Sequence, residues 1–146
     1  QPPKSIRQAY LAADPNGWSI RVRIIDNKQA FITLKKTKIS FTRFEFEYLI
    51  PLNEAEKIWS LTNFRIEKIR YEINLNQGEW IVDCFQGENY PLIIAEVEVN
   101  GADFEIHKPT WCGKEITTTK KWSNAALAHE PYTKWKPLEK QETIDN

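Results

Sequence analysis

In several stretches between residues 6 and 99, apolar positions recur at every second residue, with charged or polar side chains between them. A period of two marks β-strands with unlike faces, because successive side chains point to opposite sides of the sheet. Residues 19–24 set Arg21 and Arg23 on one face and Ile20, Val22 and Ile24 on the other. Residues 43–48 set Arg43, Glu45 and Glu47 against Phe44, Phe46 and Tyr48, and residues 66–71 set Lys68 and Arg70 against Ile69 and Tyr71. Thr33 and Lys35 share a face within 31–35, and Glu96 and Glu98 oppose Val97 and Val99 within 94–99. The pattern predicts strands over 6–12, 18–25, 29–36, 41–50, 64–74, 79–85 and 92–99. Turn signals at Asp14-Pro15-Asn16-Gly17, Asp26-Asn27-Lys28, Asn76-Gln77-Gly78 and Gly87-Glu88-Asn89 fall between them. A helical period occurs at 54–61, where Ala55, Ile58, Trp59 and Leu61 form an apolar side and Asn53 is placed to cap. A second, short helix is predicted over 125–129, capped by Ser123 or Asn124 and stopped by Pro131.

Many antiparallel strands joined by short turns point to a mainly β, α+β fold: a barrel or curled sheet with flanking helices outside it. Trp59, Trp111 and Trp122 are expected to help cover the apolar outer face. A chain of 146 residues is long enough for one domain with a core of its own, and residues 1–132 are assigned to it. Residues 133–146 are Lys/Glu-rich with little to bury and are expected to form a disordered tail.

Charge changes this picture through its arrangement. Lys plus Arg and Asp plus Glu each number 20, so no overall field favours nucleic acid, and no nucleic-acid partner is expected. No apolar run approaches a membrane span and no signal pattern opens the chain, so no membrane partner is expected either. Cys84 and Cys112 form neither a metal motif nor a disulfide framework, which points to the cytoplasm. An antiparallel sheet often turns one face to water, and strand by strand that reading of the charged faces holds. Taken together the strands argue otherwise, because each is nearly pure in sign and like charges two apart repel. If the sheet closes, Arg21, Arg23, Lys35, Arg43, Lys68 and Arg70 line one cavity beside Glu45, Glu47, Glu96, Glu98 and Asp83. Buried charges persist only when wet, paired or ligand-filled. Phosphates satisfy the bases, and carboxylates hold Mg²⁺ or Mn²⁺ that bridges to phosphate oxygens.

The same residues resemble a known family. Gln8-Ala9-Tyr10-Leu11 is similar to QGYL, Ile20-Arg21-Val22-Arg23 to VRVR, and Ala30-Phe31-Ile32-Thr33-Leu34-Lys35 to AFLTIK. Arg43-Phe44-Glu45-Phe46-Glu47-Tyr48 resembles REFEY, Lys68-Ile69-Arg70-Tyr71 resembles KxRY, and Trp80 to Phe85 resembles WxVDVF. Ala95-Glu96-Val97-Glu98 and the closing Trp111-Cys112-Gly113-Lys114-Glu115-Ile116-Thr117 with Trp122-Ser123-Asn124 complete the set. Together these identify the chain as resembling the CYTH domains, the triphosphate tunnel metalloenzymes.

That resemblance implies an antiparallel eight-stranded β-tunnel that binds a triphosphate with a divalent metal, Mg²⁺ or Mn²⁺. It implies hydrolysis of a short polyphosphate, tripolyphosphate first, as in small bacterial inorganic triphosphatases. Phosphate binding falls to Arg21, Arg23, Lys35, Arg43, Lys68 and Arg70, with Lys120 or Lys121 from the closing segment. Metal binding falls to Glu45, Glu47, Glu96 and Glu98, with Asp83 beside them, and catalysis to Glu96, Glu98, Lys68 and Arg70. The family's ExExK first strand has no counterpart in the seven residues before Gln8. Met is absent throughout, including at position 1, so truncation is the favoured account and the first strand is expected to be missing. A non-catalytic polyphosphate- or nucleotide-binding tunnel domain is therefore the alternative. Behind it come a class IV adenylate cyclase and a thiamine-triphosphatase, and pairing into a homodimer stays open.

Overall fold

The computed structural model describes residues 2–37, 42–75, 78–97, 109–116 and 119–136. Its centre is one antiparallel sheet of seven strands: β1 (Lys4–Ala13), β2 (Trp18–Ile25), β3 (Gln29–Thr37), β4 (Arg43–Ile50), β5 (Arg65–Leu75), β6 (Gly78–Phe85) and β7 (Ile93–Val97). Their order is β4-β3-β2-β1-β5-β6-β7. Among the described residues the fold is mainly antiparallel β with few helices, as the alternation predicts. β4 and β7 are the two edges, and no ladder joins them among the described residues.

Turn chemistry sets the register. Asp26 and Asn27 take positive φ of 53° and 55° between β2 and β3, a conformation these short polar side chains tolerate. Asp26 Oδ1 also accepts from the Ser5 backbone N–H at 2.8 Å, tying this turn to β1. Residues directly opposite in a ladder share a face. Gln8 opposes Arg23 and Tyr10 opposes Arg21. Arg21 opposes Thr33, Ser19 opposes Lys35, Thr33 opposes Glu47 and Lys35 opposes Glu45. On the other wing Arg70 opposes Asp83, and Ile81 opposes Glu96. The charged positions of six strands thus fall on one face, as the alternation predicts.

The opposite face is apolar and carries α1 (Leu52–Leu61), whose Ala55 is fully buried against Val22, Ile24 and Ala30. Arg7 and Arg65 lie over the Trp59 ring, and Arg7 pairs with Glu56 of the helix. The predicted Asn53 cap is corrected. The helix starts behind Pro51, whose carbonyl accepts from Ala55 N–H at 3.1 Å, so Asn53 lies inside the first turn.

The other helix departs from expectation. α2 (Asn124–His129) packs on the charged face, where one end of that face is apolar. Tyr10, Ile66, Phe85 and Leu92 form a core there with Trp122, Leu127, Ala128 and Trp135. Trp122 therefore lies inside, whereas Trp111 stands edge-on to Trp80 at 5.8 Å. Trp135 stands edge-on to Trp122 at 4.9 Å, and its Nε1 donates to the Glu130 carbonyl at 2.9 Å. The packed unit consequently runs past the expected boundary at 132, because one large aromatic in a polar segment found an apolar partner. Residues 137–146 lie outside the described residues. Among the described residues, no helix is long and apolar enough to cross a membrane.

Candidate functional site

β2 brings Arg21 and Arg23 to the charged face, β3 brings Lys35, and β5 brings Lys68 and Arg70. Their mutual repulsion and burial are visible in their acidities. Burial, then the charges of Arg21 and Arg70, lowers Arg23 to about 10. Burial, then Arg21, lowers Lys35, against the opposing pull of Glu45 at 3.9 Å. Arg21 has its Nε buried with no hydrogen-bond partner among the described residues.

Lys68 is 1% exposed, and burial lowers it to about 8 against the opposing pull of Asp83. Its Nζ donates to Asp83 Oδ2 at 2.9 Å and to Asn124 Oδ1 at 3.1 Å. Arg70 completes the arrangement by a two-point contact with Asp83, Nε to Oδ1 at 2.8 Å and Nη2 to Oδ2 at 3.0 Å. Burial works to raise the Asp83 carboxyl, but the bonds and charges of Arg70 and Lys68 hold it below the ordinary carboxylate range. Both Asp83 oxygens, expected from the sequence to face a metal, accept from these two cations.

The remaining carboxylates sit at the sheet edges. Glu47 Oε2 accepts from Thr33 Oγ1 at 2.9 Å, Glu45 stands near Lys35, and Glu96 is exposed on β7. These are hard oxygen donors of the type that suits Mg²⁺ or Mn²⁺. Among the described residues, however, no three His, Cys, Asp or Glu side chains gather into a metal-holding group. Glu98 lies outside the described residues, as does the Lys120 side chain. Lys121 lies over the Trp122 and Trp135 rings at 5.4 and 5.0 Å. Arg43 begins β4, exposed, one ladder step of the same face beyond Glu45.

A cavity of about 200 Å³ opens on the charged face, lined by Tyr10, Arg21, Thr33, Lys35, Ser123 and Asn124 among others. Four of these, Tyr10, Thr33, Ser123 and Asn124, were not named as site residues from the sequence. Ser123 caps α2, its Oγ accepting from Ala126 N–H at 3.2 Å, which leaves the Asn124 side chain for Lys68. Tyr10 belongs to a buried chain in which Arg23 Nε donates to Gln8 Oε1 at 2.8 Å and Gln8 Nε2 donates to Tyr10 Oη at 2.7 Å. The available signal was Gln8 itself, a polar residue between Ile6 and Tyr10 on one strand face.

Comparison with known proteins agrees with this geometry. The CYTH domain matches residues 3–126. An inorganic triphosphatase of Acetivibrio thermocellus is 37% identical over 132 residues, 89% of this chain and 83% of that protein. One from Nitrosomonas europaea is 34% identical over 127 residues, covering 84% and 83% respectively. A crystal structure of an inorganic triphosphatase superposes with a TM-score of 0.71 at 31% identity, covering 87% of this chain and 86% of that one. With the family match over most of its length and these relatives in agreement, the chain belongs to the CYTH domain family.

Proposed function

We propose that this protein hydrolyses inorganic triphosphate, releasing orthophosphate and pyrophosphate, with a divalent cation as cofactor. The observation that carries the reading is the set of five bases on one face, with the Arg21 Nε left without an acceptor among the described residues. A buried donor without a partner costs about 1–3 kcal/mol, so the face is built for an anion that supplies one. A triphosphate places many oxygens in a row, and Arg21, Arg23 and Lys35 line the β2–β3 wing for one end of it. Lys68 and Arg70, oriented by Asp83 and Asn124, serve the other wing.

The reaction transfers a phosphoryl group to water: one P–O bond forms to the water oxygen and the bridging P–O bond to pyrophosphate breaks. It needs positioning and charge neutralisation more than covalent chemistry. The bases neutralise the leaving pyrophosphate as its charge grows. Triphosphatases of this family depend on a metal, and here Glu45, Glu47, Glu96 and Glu98 are the side chains that would hold it, as Mg²⁺ or Mn²⁺. Bound, such an ion polarises phosphoryl oxygens and adds a further positive charge. A cytoplasmic setting is part of this reading and rests on the sparse cysteines of the sequence, Cys84 and Cys112.

Phosphate release from tripolyphosphate, ATP and thiamine triphosphate, each with and without Mg²⁺ or Mn²⁺, tests the proposal. Metal-dependent release, fastest from tripolyphosphate, is expected. Tripolyphosphate binding with no release would instead establish a binding domain, and cyclic nucleotide formed from ATP would establish a cyclase. Glu96→Gln should cut metal-dependent turnover by about a hundredfold, a loss like that of one strong electrostatic contact to a transition state. Tripolyphosphate affinity measured without metal should stay within about threefold, since the exposed Glu96 acts on Arg70 through its charge and hydrogen-bonds no base among the described residues. Unchanged turnover would remove Glu96 from the metal site.

A further inference from the structure

The Arg23–Gln8–Tyr10 chain ends at the cavity, which Tyr10 lines, and Gln8 and Tyr10 have no assigned role. Its polarity is fixed at one end, because an Arg Nε can only donate. Gln8 Oε1 must therefore face Arg23, and Gln8 Nε2 must face Tyr10. Tyr10 Oη accepts from that amide, so its own proton is left to donate elsewhere. The Tyr10 ring is only 5% exposed and belongs to the core with Ile66 and Phe85, yet the residue also lines the cavity beside Arg21, Thr33 and Lys35. Gln8 is fully buried and holds Arg23 by Nε, so that among the described residues both terminal guanidinium nitrogens are left for a two-point contact.

We propose that Tyr10 is a further substrate-binding residue, donating its phenolic proton to an oxygen of the bound triphosphate. Gln8 is the positioning residue that orients Tyr10 and Arg23 together. The proposal rests on the triphosphate reading of the site. The phenol keeps its proton at neutral pH, because burial raises it above its ordinary value while Arg21 and Arg23 pull the other way. The donor is thus present whenever the substrate is.

Tyr10→Phe removes only the hydroxyl and leaves the ring in its core. Loss of a hydrogen bond to a charged acceptor should raise KM for tripolyphosphate about 10- to 100-fold, with the thermal midpoint within a few degrees of wild type. Gln8→Met frees both partners and should raise KM at least as far. The double variant should be no worse than Gln8→Met by more than about twofold, since a chain fails as a unit. An unchanged KM in Tyr10→Phe with a shifted midpoint would reduce Tyr10 to packing and overturn the proposal. Fully multiplicative effects in the double variant would overturn the positioning role of Gln8. If wild-type protein neither binds nor cleaves tripolyphosphate, the triphosphate reading fails and this proposal with it, whatever the variants do.

Discussion

Asp83→Ala is expected to destabilise the protein by about 3 kcal/mol at neutral pH, because it strands two cations in a site from which water is largely excluded. Asp83 is 4% exposed and accepts three hydrogen bonds, one from Lys68 and two from Arg70. The dependence on pH identifies which cation is stranded. Lys68 titrates at about 8 in the fold against 10.5 for the free side chain. Between those values the unfolded chain binds more protons, so wild-type stability from this group rises with pH. Asp83 itself contributes in the opposite window: its carboxyl is held below the ordinary value, so its share is present at neutral pH and lost as acid protonates it. In the variant the two influences that raise Lys68, the charge of Asp83 and its hydrogen bond, are gone, so Lys68 releases its proton at lower pH still. The stability gap should therefore shrink as pH rises toward about 8, where Lys68 titrates in the wild type, read from urea unfolding curves. A gap that stays constant would place the penalty on Arg70, which cannot shed its proton. KM for tripolyphosphate should rise as well, because both bases lose the group that orients them.

The faces of the strands were legible because a period of two assigns each side chain to one side, and burial of one side holds the register. β2 shows this directly. Its predicted span, 18–25, is the observed Trp18–Ile25, and Arg21 and Arg23 lie where alternation puts them. The five bases on one face follow from that pattern once the ladders form. The engagement of Asp83 was not legible. Its pairing with Arg70 depends on the β5–β6 register, and the turn signal near Gly78 indicates a hairpin without fixing which residues oppose. The placement of α2 was equally hidden. Ala125, Leu127 and Ala128 mark a short apolar helix, but nothing in them says which face of a two-faced sheet receives it. The answer lay in Ile66, Phe85 and Leu92, apolar residues on or beside the charged face. Reading the strands for their exceptions as well as their alternation would have found it, and the same approach would have picked out Gln8.

Arg21→Met should separate folding from function more sharply than any other single change. In wild type the Arg21 Nε is buried with no hydrogen-bond partner among the described residues, a state that costs about 1–3 kcal/mol in the free protein. A straight-chain apolar residue removes that cost and relieves the repulsion that lowers Arg23 and Lys35, so both should titrate closer to their ordinary values. Stability should hold or rise, by about 1 kcal/mol in urea unfolding, since exchanging an unsatisfied donor for a matched apolar group is neutral to favourable. Affinity for tripolyphosphate should nevertheless fall about 10- to 100-fold, the worth of one charge-assisted contact at about 1.4 kcal/mol per decade. A residue that serves packing would show the reverse, lower stability with unchanged binding. The opposed signs follow from one cause. The face keeps its bases close together and incompletely paired, so the free protein carries an electrostatic cost that a triphosphate removes on binding. A variant that lowers this cost in the free protein must also weaken what the substrate gains.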